Sequence, residues 1–218
     1  MFAVPAQPTV PAVSATLAPV GIGPVSVSAP PTQARTSVMV GEKELNVLEG
    51  RRVTVTGALS GPGRERLSRR TVVLQAGGRH RWRTLATART NAKGQYRIHF
   101  SPESIGSRLI RVEFAGDAAD LPSHRRLGRL NVYREVGASW YGGGGTTACG
   151  QTLTSATVGV ANKTLPCGTI VTLRYGGRTL RVPVIDRGPY VEGREYDLTE
   201  ATKYALGFGS TGEVWATR

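Results

Sequence analysis

The chain has 218 residues, enough for one large or two small domains with real cores, and it is rich in Gly (28) and Pro (13). No apolar run approaches the roughly 18 residues that a membrane-spanning helix needs, which excludes such a helix. The formal net charge of +13 is unevenly placed: residues 37–134 hold 19 basic against 8 acidic residues, whereas residues 135–218 hold 8 against 7.

Residues 1–36 are Pro-, Ala-, Val-, Ser- and Thr-rich, and prolines at 5, 8, 11, 19, 24, 30 and 31 exclude a helix or a regular strand. The composition predicts a disordered leader or linker. Val4-Pro5-Ala6 looks like the small-residue end of a signal peptide. The expectation is that Met1 is a late start within a longer, exported precursor.

Residues 37–134 alternate with period two: Val53, Val55 and Leu59; Tyr96, Ile98 and Phe100; Ile110, Val112 and Phe114; Leu130 and Val132. Gly61-Pro62-Gly63, Gly77-Gly78, Asn91 to Gly94 and Gly116-Asp117 supply turns. About seven short strands predict an immunoglobulin-like β-sandwich with many outward arginines. His99 reads as an outward strand residue, and Trp82 as a core-packing residue ahead of a carbohydrate-stacking one. A segment at +11 attracts polyanions, an anionic cell wall or nucleic acid among them, and an Arg-rich solvated surface is the plain alternative. No nucleic-acid-binding motif accompanies the charge.

Residues 137–218 read as a second, Gly-dense all-β domain. Thr169 to Tyr175, Gly176-Gly177 and Arg178 to Val182 form a predicted hairpin. Leu198 to Leu206 is the predicted helix, with Thr199 as N-cap and Gly207 as C-cap, and Thr211 to Thr217 returns to strand. The join at Arg134 to Gly137 is short. Gly142 to Gly145 lacks the Lys-Ser or Lys-Thr of a phosphate loop and reads as a loop rimming a groove. Cys149 and Cys167, with no other Cys and no clustered His, do not make a zinc site. They are a disulfide or two free thiols, and export favours the disulfide.

All three histidines (80, 99 and 124) lie outside this second domain, so no Ser-His-Asp or Cys-His set can be assembled in it. Carboxylate chemistry remains, with no metal and no cofactor expected. Asp186 ends an apolar strand and enters Arg187-Gly188-Pro189; it is either a functional acid or a turn residue. Asp197 precedes the helix; it is either a second acid or a helix-start residue favoured by the macrodipole. Tyr141, Tyr190 and Tyr196 either contact a ligand or pack the core.

Five ordered stretches are specific when taken together. They are Ala138-Ser139-Trp140-Tyr141-Gly142, Thr147-Ala148-Cys149-Gly150, Gly159 to Thr169 (GVANKTLPCGT), Val184 to Tyr190 (VIDRGPY) and Gly193 to Leu198 (GREYDL). From about residue 137 to the end the chain resembles the RlpA (rare lipoprotein A) family, which is related to expansins. The resemblance implies a six-stranded double-psi β-barrel and a peptidoglycan lytic transglycosylase. Carried over by motif, Asp186 is the acid/base and Asp197 the second acid, with Thr199 in place of the motif's Ser. Tyr141, Thr147, Asn162, Arg187, Tyr190 and Tyr196 are the expected substrate contacts. Asn162 stands where the family commonly has His, and Asn cannot shuttle a proton near neutral pH. That departure keeps a second expectation open, a non-catalytic, expansin-like glycan-binding or wall-loosening module. The implied partner is peptidoglycan, and the implied location is the cell wall, periplasm or extracellular space. The basic sandwich is an expected contact for anionic wall polymers.

Overall fold

Runs of alternating apolar residues become strands throughout the computed structural model, which describes residues 32–43, 45–77 and 81–218. The predicted leader falls mostly outside the described residues. Its last residues differ from the expectation: Gln33, Ala34 and Thr36 are hydrogen-bonded to the segment Asp117–Ser123, and Ala34 forms a parallel bridge with Asp120. The ordered part therefore begins before residue 37.

Two sheets enclose the first core. One has the order β1 (Ser37–Lys43), β3 (Val53–Ser60), β6 (Gln95–Phe100). The other runs β5 (Trp82–Arg89), β4 (Thr71–Gly77), β7 (Gly106–Phe114), β8 (Ser123–Tyr141), with β2 (Asn46–Leu48) parallel to β8. The alternation seen in the sequence decides which side chains turn inward. Val53, Val55 and Leu59 of β3 and Tyr96 and Ile98 of β6 meet Leu74, Ile110, Val112 and Leu130 from the other sheet. Burying each such aliphatic side chain contributes about 1.5–3 kcal/mol.

The second core lies inside a ring of six strands. These are the C-terminal part of β8, β9 (Val160–Ala161), β10 (Ile170–Tyr175), β11 (Arg178–Asp186), β12 (Tyr196–Thr199) and β13 (Thr211–Ala216). The pairing order is β12-β9-β11-β10-β13-β8, and β8 pairs back with β12, so the ring has no free edge. Val136, Ala138, Leu173, Val184, Tyr196, Leu198 and Val214 fill it. The β10–β11 hairpin turns at Gly176-Gly177, both at positive φ (53° and 83°), the geometry of a type I′ turn that Gly adopts without steric cost. The helix α1 spans Glu200–Leu206; the Thr199 side chain accepts from Thr202 N, and Gly207, at φ 68°, closes the helix. The expected caps are therefore both present. The all-β class, the six-stranded barrel and the single short helix agree with the sequence reading.

β8 belongs to both cores. Its residues Ser123–Val132 pair with β7, and its residues Arg134–Tyr141 pair with β13 and β12. At the short join Arg134–Gly137 the backbone is continuous strand. Around this crossing, Tyr133 packs on Trp215 (ring centroids 5.8 Å apart), its hydroxyl donates to Asn46 Oδ1, and Arg134 pairs with Glu195.

Candidate functional site

The site begins with a bulge. Val182 and Val184 of β11 point into the barrel core. Val184 pairs with Val160 of β9, but the next residue of β9, Ala161, pairs with Asp186, so two residues of β11 answer one of β9. The extra residue brings Asp186, rather than Ile185, into register with Ala161, the re-aiming that bulges perform beside functional sites. The room for it comes from Gly159: a Cβ there would lie 2.6 Å from the Ile185 side chain.

Asp197 arrives from the other side. In β12, Tyr196 and Leu198 are fully buried in the core, so Asp197 between them faces outward. It pairs with Ala161 of β9 on one side and Ser139 of β8 on the other. Asp186, Ala161, Asp197 and Ser139 thus form one row across four neighbouring strands. Two interstrand steps of about 4.8 Å separate the backbones of the two acids by about 10 Å. Ala161, between them, contributes only a methyl group. Ser139 Oγ donates to Asp197 Oδ1 and fixes that carboxylate.

Asp186 is held from the backbone. Its Oδ1 accepts from Ala148 N (2.9 Å) and from Arg187 N (2.8 Å). The Ala148 amide is aimed by a tight turn in which Thr147 N donates to Gln151 O and Thr147 Oγ1 accepts from Gln151 N. That turn is tied to the end of β11 by Cys149 N to Ile185 O (3.2 Å) and to the 162–169 loop by the Cys149–Cys167 disulfide. Thr147 is buried in this turn.

Tyr141, also on β8, turns its hydroxyl toward the same place. That hydroxyl is buried and completes no well-aligned hydrogen bond. Burial pushes its pKa up, and the negative charge and hydrogen-bonding reach of Asp186, then the charge of Asp197, push it further in the same direction. Tyr141 is therefore a neutral phenol beside both acids.

Asp186, Asp197 and Tyr141 come together; other expected contacts do not join them. Tyr196 is fully buried in the barrel core with its hydroxyl on the Arg218 carbonyl (3.2 Å), so it packs the core and cannot meet a sugar. Asn162 is 3% exposed, and its amide bonds backbone on both sides: Oδ1 accepts from Thr164 N and Leu165 N, and Nδ2 donates to Glu195 O. Its side chain staples a loop, and all three of its amide hydrogen bonds go to backbone. Arg187 turns away from Asp186; its guanidinium donates to the carbonyls of Asn162 and Leu165 and to Cys167 Sγ. Tyr190, 81% exposed, stands free beyond Pro189. Ser139, Ala161 and the Ala148 amide were missed by the sequence reading. The period-two pattern of Ser139 and Tyr141 was the available signal for the first, because both lie on one face of β8.

Asp186 and Asp197 are both half-buried. A cleft of about 510 Å³ bordered by Gly137, Asn162, Lys163, Arg194 and Glu195 reaches neither of them.

A family model described as lytic transglycolase, of the double-psi β-barrel type, matches residues 133–215. The barrel belongs to the RlpA-like double-psi β-barrel family. An RlpA of Pseudomonas aeruginosa, named endolytic peptidoglycan transglycosylase, is 41% identical over 87 residues, 37% of this chain and 26% of that protein. An RlpA of Aquifex aeolicus, named "Probable endolytic peptidoglycan transglycosylase", is 40% identical over 82 residues, 35% of this chain and 36% of that protein. An RlpA of Synechocystis with the same name is 33% identical over 106 residues, 42% and 33% of the two chains. The chain thus spans about a third or less of the RlpA proteins that it matches. Among solved structures, a Streptomyces papain inhibitor aligns over 38% of this chain and 93% of its own at 26% identity, with a TM-score of 0.33, too low to carry an argument.

Proposed function

We propose that the barrel cleaves peptidoglycan glycan strands by intramolecular transglycosylation, with Asp186 as acid and then base, at the cell wall outside the cytoplasmic membrane. The observation that carries this reading is the row Asp186–Ala161–Asp197–Ser139 across four neighbouring strands of an RlpA-like barrel. RlpA relatives named as peptidoglycan transglycosylases support the substrate class.

The chemistry needs one carboxyl group in two states. Backbone amides hold Oδ1 of Asp186, which leaves Oδ2 to face the substrate. Protonated Asp186 gives its proton to the glycosidic oxygen as the C1–O bond breaks. The C6 hydroxyl of the same muramic residue attacks C1, its proton passes to the Asp186 carboxylate, and the acid is restored. The product carries a 1,6-anhydro ring and no water is consumed, so a second carboxylate to activate water is not required. Asp197, fixed by Ser139, supplies negative charge where positive charge develops on the sugar ring. Tyr141, kept neutral, is a hydrogen-bond donor beside Asp186. Exposed Tyr190 offers a ring face for stacking at the rim.

The test is to incubate purified sacculi with the wild type and with Asp186→Asn and to analyse the soluble products by mass spectrometry. Anhydro-muramic products from the wild type, reduced roughly 10²–10⁴-fold in the variant, are expected. Wild type that pellets with sacculi and releases nothing would leave the non-catalytic glycan-binding reading in its place.

A further inference from the structure

Among the described residues, only Arg70, Arg111 and Arg134 make ion pairs with acids. The unpaired arginines are not evenly spread. A cleft of about 760 Å³ on the sandwich is bordered by Arg83, Arg108 and Arg129, with Glu103 as its one acid. A second cleft, about 450 Å³, lies where the sandwich meets the barrel and is bordered by Arg129, Arg181 and Arg218, with no Asp or Glu among the described residues that line it. Ser107 and Arg129 line both, so the two clefts adjoin and together make a basic trough between the sandwich and the barrel wall.

The fold dictates this convergence. The β7–β8 ladder sets Arg129 opposite Leu109 in the sandwich part of β8, and the β10–β11 hairpin sets Arg181 opposite Thr172 on the barrel wall. Hydroxyls add to the lining. Thr217 Oγ1 accepts from Thr172 N, which leaves its own hydrogen to donate to a ligand. Guanidinium forks bordering the same clefts, with hydroxyls among them, match the paired oxygens of phosphate groups. Among the described residues, Phe100 is the one aromatic on the border, and it packs against the sandwich core, so no described ring is presented there on which a base would stack. That disfavours nucleic acid and favours a polyanion without bases.

We propose that this trough binds the phosphodiester groups of a linear polyol- or sugar-phosphate polymer carried by the cell wall, and so holds the barrel beside its glycan. The assignment rests on the wall-directed reading of the barrel. It refines the diffuse attraction of a +11 segment into one site with named residues.

The test uses the whole chain and a short glycerol-phosphate oligomer as the probe, with affinity measured by calorimetry across a salt series. One variant carries Arg108→Gln, Arg129→Gln and Arg181→Gln. A second removes the same charge elsewhere, by Arg51→Gln, Arg52→Gln and Arg97→Gln. Circular dichroism and thermal melting confirm that both are folded. The trough variant is expected to bind roughly tenfold or more weakly and with a shallower salt dependence, and the control variant to stay within about twofold of the wild type. Equal losses in both variants, or no binding by the wild type, would overturn the proposal. So would single-stranded DNA bound as tightly and lost in the same variant. Product release from walls stripped of phosphate polymer, scored with Asp186→Asn, tests the barrel separately. The trough variant is expected to retain it, so failure of one reading does not look like failure of the other.

Discussion

Asn162→Ala separates a loop staple from a sugar contact. The Asn162 amide makes three hydrogen bonds, two from Thr164 N and Leu165 N and one to the Glu195 carbonyl, at a site only 3% exposed. Each such bond contributes about 1 kcal/mol net, and a backbone group left unsatisfied in a buried place costs about 1–3 kcal/mol. Thr164 is exposed and its amide regains water, whereas Leu165 and Glu195 are half-buried. The expected loss is therefore about 3 kcal/mol. At the roughly 2–4 °C per kcal/mol of a chain this size, the melting temperature falls by about 6–12 °C. Urea denaturation should show a lower midpoint with an unchanged slope. Asn162→Asp keeps the acceptor and should recover part of the loss. A variant that keeps wild-type stability within about 0.5 kcal/mol yet loses glycan binding would refute the staple and return Asn162 to the groove.

Gly159→Ala should cost about 1–3 kcal/mol and lower product release from sacculi, because the new methyl group drives Ile185 out of the bulge that aims Asp186. Wild-type turnover would show that the bulge tolerates the shift. Reducing the Cys149–Cys167 bond with dithiothreitol, or replacing both cysteines with serine, should cost about 3 kcal/mol in urea denaturation. It should also slow the site, by releasing the turn that presents the Ala148 amide to Asp186. Burial raises the pKa of Tyr96, Tyr141 and Tyr196 in the folded chain. The unfolded chain therefore loses these protons first as pH climbs through about 10, so stability is full below that pH and declines above it. Denaturation midpoints taken from pH 8 to pH 11 check this, and a flat profile would contradict it.

Local pattern made much of the barrel readable. The Gly176-Gly177 hairpin and the Thr199 and Gly207 caps are short-range features, and all appear where the sequence places them. Tyr196 was also readable: in Tyr196-Asp197-Leu198, period two puts Tyr and Leu on one face and Asp on the other, so a functional Asp197 implies a core Tyr196. The role of Asn162 was not readable, because its partner at Glu195 lies 33 residues away. The closure of the ring between β8 and β12 was hidden for the same reason, since Ser139 and Asp197 are 58 residues apart. The extent of β8 was obscured by its change of partners, which breaks the alternation near residue 131, where four consecutive residues are buried.

That strand also acts as a tie rod. Its 19 residues form up to roughly 60 Å of extended backbone with no linker between the two cores. A pull on the sandwich is delivered along covalent bonds to Ser139 and Tyr141, on the strand that anchors Asp197. The pull meets the β12 and β13 ladders in shear, where many hydrogen bonds share the load at once. Whatever grips the sandwich is therefore coupled to the geometry of the acid row by a stiff element, and any cut between residues 131 and 139 severs a ladder that one core or the other needs.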